Sequence, residues 1–243
     1  DAVRSTGYPP QGEVAEDFSA TRTHASSSML KAAGVLWRFS RPHTMIGSAL
    51  CIPALTIFAA PPGAAFAGPT AAVVLYALLP SLFINIYIVG LNQLFDIKID
   101  KVNKPTLPLA SGELTTTQGT VIVLLSLVIG LALGWAYPPF CSPALRATLW
   151  GSAILGTFYS LPPIRLKRYP LLASLCIMSV RGALINWGFF WHASLAAYGA
   201  VEATMMPYQR WRSLGSICFF TLFGTVIALV KDVPDVAGDR PYG

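Results

Sequence analysis

Acidic residues are scarce in this chain. Of its 243 residues only 11 are Asp or Glu, against 17 Lys and Arg, and all charged residues together make up 12%, about half the share usual in a soluble domain. That excludes an ordinary water-exposed globule. Cysteine occurs 4 times, at Cys51, Cys141, Cys176 and Cys218, in or beside apolar runs and without CxxC or Cys/His spacing. This excludes a zinc module and reads as free core thiols. The net charge of +6 is dispersed singly or in pairs instead of forming one face, which excludes nucleic acid as a partner and leaves the membrane surface. What is abundant is apolar: 54% of the chain is hydrophobic and the mean hydropathy is +0.57. The expected fold class is all-α, a polytopic transmembrane helix bundle in a lipid bilayer.

A helix needs about 20 largely apolar residues to span a bilayer. Six segments qualify, at about 42–60, 71–95, 118–137, 144–161, 170–192 and 214–231. Breaks marked by Pro or Gly separate most of them, such as Pro61-Pro62-Gly63, Pro138-Pro139 and Pro162-Pro163. Residues 1–35 read as a disordered polar tail or the remnant of a targeting sequence, and 36–243 as the transmembrane domain. If the spans alternate, one side carries Lys31, Arg38, Arg41, Lys98, Lys101, Lys104, Arg165, Lys167, Arg168, Lys231 and Arg240. The other carries only Arg146, Arg210 and Arg212. Basic loops stay on the cytoplasm-equivalent face, so this bias supports six spans.

The few acids are not scattered. From residue 30 onward there are seven, and five of them fall in Asn92-Gln-Leu-Phe-Asp96-Ile-Lys-Ile-Asp100 and Asp232-Val-Pro-Asp235-Val-Ala-Gly-Asp239. A carboxylate at membrane depth costs roughly 2.5–3.5 kcal/mol when it faces lipid, so such groups usually mark function. The clusters end the second and sixth spans on the same basic side, which hints at an internal repeat. Asn92, Asp96 and Asp100, four apart, share a helix face. Asp232, Asp235 and Asp239 share another if the helix continues past Pro234. Opposed carboxylates need cations, and oxygen ligands without His or Cys favour Mg²⁺ held together with a substrate phosphate. Lys101, Lys104, Arg165, Lys167, Arg168, Arg181 and Lys231 could neutralise the rest of a diphosphate. Two rival readings are an ion-pair network, for instance Asp96 with Lys98 and Asp100 with Lys104, and a cation transporter whose acids are ion sites.

The first cluster runs on as Asn92-Gln-Leu-Phe-Asp-Ile-Lys-Ile-Asp-Lys-Val-Asn-Lys-Pro-Thr-Leu-Pro-Leu-Ala-Ser-Gly-Glu113, and the second reads Lys231-Asp-Val-Pro-Asp-Val-Ala-Gly-Asp239. Together with Phe39-Ser-Arg-Pro-His-Thr44 and Tyr159-Ser-Leu-Pro-Pro-Ile-Arg-Leu-Lys-Arg168, they resemble the UbiA superfamily of intramembrane prenyltransferases, most closely the plastid homogentisate branch. The resemblance covers about residues 36–240. It implies an enzyme that moves a phytyl or geranylgeranyl group from its diphosphate to an aromatic acid, homogentisate with decarboxylation, in tocopherol or tocotrienol formation. Solanesyl donors and flavonoid or coumarin acceptors are the alternatives.

It also implies Mg²⁺ on Asn92, Asp96, Asp100, Asp232, Asp235 and Asp239, with Asp96, Asp100, Asp232 and Asp235 catalytic. Arg41, Lys101, Tyr159, Arg165, Lys167, Arg181 and Lys231 would contact the substrates. The Tyr-x-x-x-Lys spacing of quinone-type members is absent, since Pro163 stands four after Tyr159, which leaves Lys167 and Arg165 as candidates for that role. The family has nine helices, so three more are expected beyond Gly243, and a truncated, inactive product is a further alternative. A multi-pass protein of the plastid envelope or thylakoid is the implied location. His43 reads as a helix-start cap, Trp187-Gly-Phe-Phe-Trp-His192 as an interfacial belt or a chamber wall, and Arg181 as a substrate contact inside the fifth span.

Overall fold

A computed structural model describes residues 29–61, 68–137, 140–199 and 207–230. Among these every regular element is helical. Helix α1 covers 29–39, so the boundary expected at residue 35 falls within a helix. Arg41 then adopts a left-handed backbone, φ 49°, and Pro42 opens α2, Pro42–Ala59. The fixed φ of proline suits the first helical turn, while the left-handed residue before it turns the chain between the two helices.

The other long helices are α3, Gly68–Phe95; α6, Thr116–Leu133; α7, Pro143–Ser160; and α10, Pro207–Val230. Between α3 and α6 lie the short α4, Ile97–Asn103, and α5, Pro108–Ser111. After α7, α8 covers Pro170–Ile177, a π-helical stretch covers Met178–Leu184, and α9 covers Ile185–Tyr198. These three run on as one long helix. Local chemistry sets several starts: Thr115 and Gln118 form a reciprocal capping box at α6, and Ser142 caps α7 through the Leu145 amide.

Each of the six expected segments is therefore helical over most of its described residues. Four stretches, Pro42–Ala59, Thr70–Phe95, Thr116–Leu133 and Pro170–Tyr198, are long and apolar enough to cross a membrane. α7 has the length but less apolarity, and α10 sets a polar start before the uncharged apolar run 213–230. α7 packs inside the bundle with Thr148, Ser152 and Ser160 on its buried face, where lipid does not select for hydrophobicity. α10 opens on the polar run Gln209-Arg-Trp-Arg212.

Side-chain contacts show which ends meet. At one end the start of α2 meets the end of α3, through Thr44 and Asn85 and through Gln93 donating to the Phe39 carbonyl. At that end α3 also meets the end of α7, since Asn92 donates to Ser160 at 3.4 Å. At the opposite end His192 joins Ser142 of α7 and the Val73 carbonyl of α3, and Gln209 and Arg212 of α10 donate to the last carbonyls of α2, those of Ala59 and Phe58. The helices thus alternate in direction, as the charge bias requires. The core between them centres on Ile52, Leu55, Ile84, Val123, Leu145 and Leu149.

Several expectations about single residues change. All four cysteines are free, but Cys218 is exposed instead of buried. His43 is exposed and provides no cap; its Nε2 lies 3.5 Å from the Arg41 guanidinium. Phe189, Phe190 and His192 are core residues, so the aromatic run is neither wholly a belt nor a chamber wall.

Candidate active site

The acidic cluster forms where α3 ends. Asp96 interrupts the helix with φ −112°, ψ 15°, yet the Asp96 amide still reaches the Asn92 carbonyl and the Asp100 amide the Asp96 carbonyl. The four-residue register survives the break. Asn92, Asp96 and Asp100 therefore stay on one side, while Lys101, one position further round α4, is exposed.

The loop after α7 closes over this group. Arg165 takes a left-handed backbone, φ 36°, and the turn Leu166–Arg168 follows. The Arg165 guanidinium donates to Asp96 Oδ1 at 3.0 Å and the Lys167 ammonium to Oδ2. The pair with Lys98 expected of Asp96 in a surface network is replaced by two cations from a different helix connection, while Lys104 still acts on Asp100. Both candidates for the basic role are thus engaged at once.

Asp100 is nearly buried, 6% exposed. Its burial pushes the carboxyl up to about 6, a shift aided by Asp96 and opposed by Lys104, Arg41 and Lys167. Lys167 is pulled below its ordinary range, first by burial, with Asp96 acting against the fall. Two adjacent carboxylates, one forced toward neutrality by desolvation, form a place where an added divalent cation would restore the charged form. Their oxygens, with Asn92, suit a hard cation such as Mg²⁺. The fit is partial among the described residues, which contain no group of three or more His, Cys, Asp or Glu able to hold a metal ion. Lys231, Asp232, Asp235 and Asp239, the expected second half, lie outside the described residues.

Tyr159 sits one residue from Ser160 and is half-buried. Among the described residues no hydrogen bond or ion pair joins Arg181 to Asp96 or Asp100. Arg181 lies in the π-helical stretch, eleven residues beyond the start of α8, which at 1.5 Å per residue is roughly 16 Å along the helix. Its carbonyl accepts from the buried Asn186 amide, which also reaches the Gly182 carbonyl.

Two contributors escaped sequence reasoning. Ser160, buried at the end of α7, receives the Asn92 amide, and Gln93 anchors Phe39. Both lie inside the motifs quoted above, beside Tyr159 and Asn92, but neither was given a role of its own.

The UbiA prenyltransferase family model matches residues 50–243. A curated relative from Oryza sativa subsp. japonica, "Probable homogentisate phytyltransferase 1, chloroplastic", is 42% identical over 231 residues, covering 93% of this chain and 55% of the relative. Homogentisate phytyltransferase from Synechocystis sp. is 43% identical over 210 residues, covering 85% of this chain and 64% of the relative. The chain thus spans between half and two thirds of the lengths of these relatives. Among solved structures, a UbiA homolog from Archaeoglobus fulgidus bound to GPP and Mg²⁺ superposes with a TM-score of 0.60 at 20% identity, covering 84% of this chain and 65% of that one. That likeness shows a shared fold. With a family model matching most of its length and relatives above 40% identity, this chain belongs to the UbiA prenyltransferase family.

Proposed function

We propose that the protein is a Mg²⁺-dependent membrane prenyltransferase that joins a phytyl or geranylgeranyl group to homogentisate. The observation that carries this reading is the Asp96–Asp100 pair, set at one end of an apolar helix bundle and faced by Arg41, Arg165 and Lys167. Carboxylates with cations around them suit a metal-bridged diphosphate. The relatives named as homogentisate phytyltransferases support the acceptor, and the fold neighbour bound to GPP and Mg²⁺ supports the donor class. The chloroplastic relative supports a plastid membrane.

Asn92, Asp96 and Asp100 would hold Mg²⁺ from this side, and Asp232, Asp235 and Asp239 from the other. Bound there, the metal neutralises charge on the departing diphosphate. Arg41, Lys101, Arg165 and Lys167 contribute further positive charge at the same end, and Lys231 would add to it. The C–O bond to diphosphate would break, a bond would form between the freed prenyl carbon and an electron-rich ring carbon that gives up its proton, and the acetate side chain would lose carbon dioxide and take up a proton to leave a methyl group. The apolar helices keep water from the cationic carbon.

The test uses membranes carrying the protein, labelled homogentisate, and phytyl, geranylgeranyl or solanesyl diphosphate, with and without Asp96→Ala. Prenylated product that vanishes in the variant is expected. Undiminished product from Asp96→Ala would sink the metal assignment, and cation flux without product would favour a transporter.

A further inference from the structure

Helix α1 touches the bundle mainly through its last turn. The Phe39 ring is fully buried against Gly90, where an added Cβ would meet it at 2.8 Å. Gln93 holds the Phe39 carbonyl, and Arg38 forms a two-armed pair with Glu113, just past α5. Upstream the helix stands clear: Met29, Leu30, Leu36 and Trp37 are 72%, 71%, 48% and 64% exposed. Residues seven apart return to the same helix face. Met29 with Leu36, and Leu30 with Trp37, therefore make one apolar stripe with Ala33 between them. Lys31 and Arg38, also seven apart, occupy the opposite stripe.

Four large apolar side chains in water would be unusual for so short a helix. α1 is separated from the spanning α2 only by Ser40 and Arg41, whose left-handed backbone breaks the axis. No Asp or Glu occurs from residue 29 to residue 95, so the basic Lys31, Arg38 and Arg41 meet no acid along their own stretch of chain. An apolar stripe, a tryptophan and basic residues at the edge of a span make an interfacial helix. We infer that α1 lies in the plane of the lipid–water boundary at the basic end of the bundle, its occupant being a lipid surface with anionic headgroups. Met29, Leu30, Leu36 and Trp37 enter the acyl boundary, and Lys31 faces headgroup phosphates. Through Arg38 the same helix holds Glu113, so the bilayer surface and the loop behind the acidic cluster are tied together. The inference does not depend on the reaction.

It can be tested in mixed phosphatidylcholine–phosphatidylglycerol vesicles with the chain carrying Ser at Cys51, Cys141, Cys176 and Cys218. Nitroxide labels are placed through Leu30→Cys, Leu36→Cys, Trp37→Cys, Lys31→Cys and Gly34→Cys. Labels at 30, 36 and 37 are expected to collide readily with oxygen and rarely with a water-soluble nickel chelate, and those at 31 and 34 the reverse. Ready nickel contact at 36 and 37 overturns the inference. So does protection from both reagents there, which would mean that a second copy or another protein covers the stripe. If the cysteine-free chain does not fold, Trp37→Phe in the native chain serves instead. Brominated lipid should abolish the fluorescence difference between native and variant protein, and a difference that survives bromination overturns the inference.

Discussion

The Asp96 carboxylate and the Lys167 ammonium form an ion pair between residues 71 positions apart, with side chains only 12% and 13% exposed. Arg165 occupies the other carboxylate oxygen. A pair withdrawn this far from water is costly to break from one side, because the remaining charge is left buried. An ionised carboxylate has about four lone-pair directions, so two cations do not exhaust Asp96, and a metal can share its oxygens. The loop after α7 thus brings positive charge to the residue most central to the proposed metal set.

Replacing Lys167 tests whether that charge serves the substrate. Lys167→Ala should raise KM for the prenyl diphosphate about tenfold, equivalent to about 1.4 kcal/mol of lost binding, with a smaller effect on the aromatic acceptor. Lys167→Arg should restore most of the affinity, since a guanidinium also grips phosphate. An unchanged donor KM in Lys167→Ala would leave the residue a purely structural role.

Asp100 makes the opposite kind of test. Its burial works against ionisation, so Asp100→Asn removes a desolvated charge while keeping the shape. The folded protein should melt at the same temperature or higher. Product formation should still fall by at least about 100-fold, in line with loss of a preorganised electrostatic group, and the Mg²⁺ concentration for half-maximal activity should rise. Thermal melting and a magnesium titration of activity together separate the two effects.

Much of this was legible in the sequence because hydrophobic length and charge bias are cumulative signals. Six apolar runs and one-sided Lys and Arg led to six alternating helices, and the four-residue spacing of Asn92, Asp96 and Asp100 held through the helix break. The partners of Asp96 were less legible. Sequence proximity favoured Lys98, but on a helix residues two apart point to different sides, and Arg165 and Lys167 arrive only because a left-handed Arg165 turns their loop inward. Nor could periodicity foresee α1, whose apolar stripe is short and lies next to a polar tail. The π-helical stretch of the fifth span was equally hidden, and there the Asn186 amide donates to two main-chain carbonyls.

That stretch is held by a close contact. A Cβ on Gly182 would lie 2.7 Å from the Thr221 Cα and 2.5 Å from its hydroxyl, and backbone cannot move aside as a flexible side chain can. Gly182→Ala should therefore destabilise the bundle by about 1–3 kcal/mol, the usual penalty of overpacking. For a chain of this size each kcal/mol lowers Tm by about 2–4 °C. A melt of the detergent-solubilised variant that matches the native protein would show that α10 yields freely at this point.

Chelation addresses the metal without altering any side chain. EDTA should abolish prenyl transfer, and Mg²⁺ or Mn²⁺ should restore it, because the available ligands are carboxylate and amide oxygens. Retained activity after exhaustive chelation would argue that Arg41, Arg165 and Lys167 alone carry the diphosphate.

Arg181 poses the sharpest choice. It is exposed, roughly 16 Å along the helix from Pro170 by the rise of 1.5 Å per residue, and among the described residues no acid pairs with it. An arginine facing lipid near the bilayer centre is destabilising by roughly 2.5–3.5 kcal/mol on insertion scales. Arg181→Leu would relieve that penalty, so if the side chain faces lipid, the variant should melt higher and prenylate at the native rate. If it lines a polar chamber used by substrate, the same change should lower kcat/KM by about tenfold or more, without the gain in Tm. Measuring both quantities on one variant decides between the two, and the chamber reading predicts loss of activity at unchanged or lower stability.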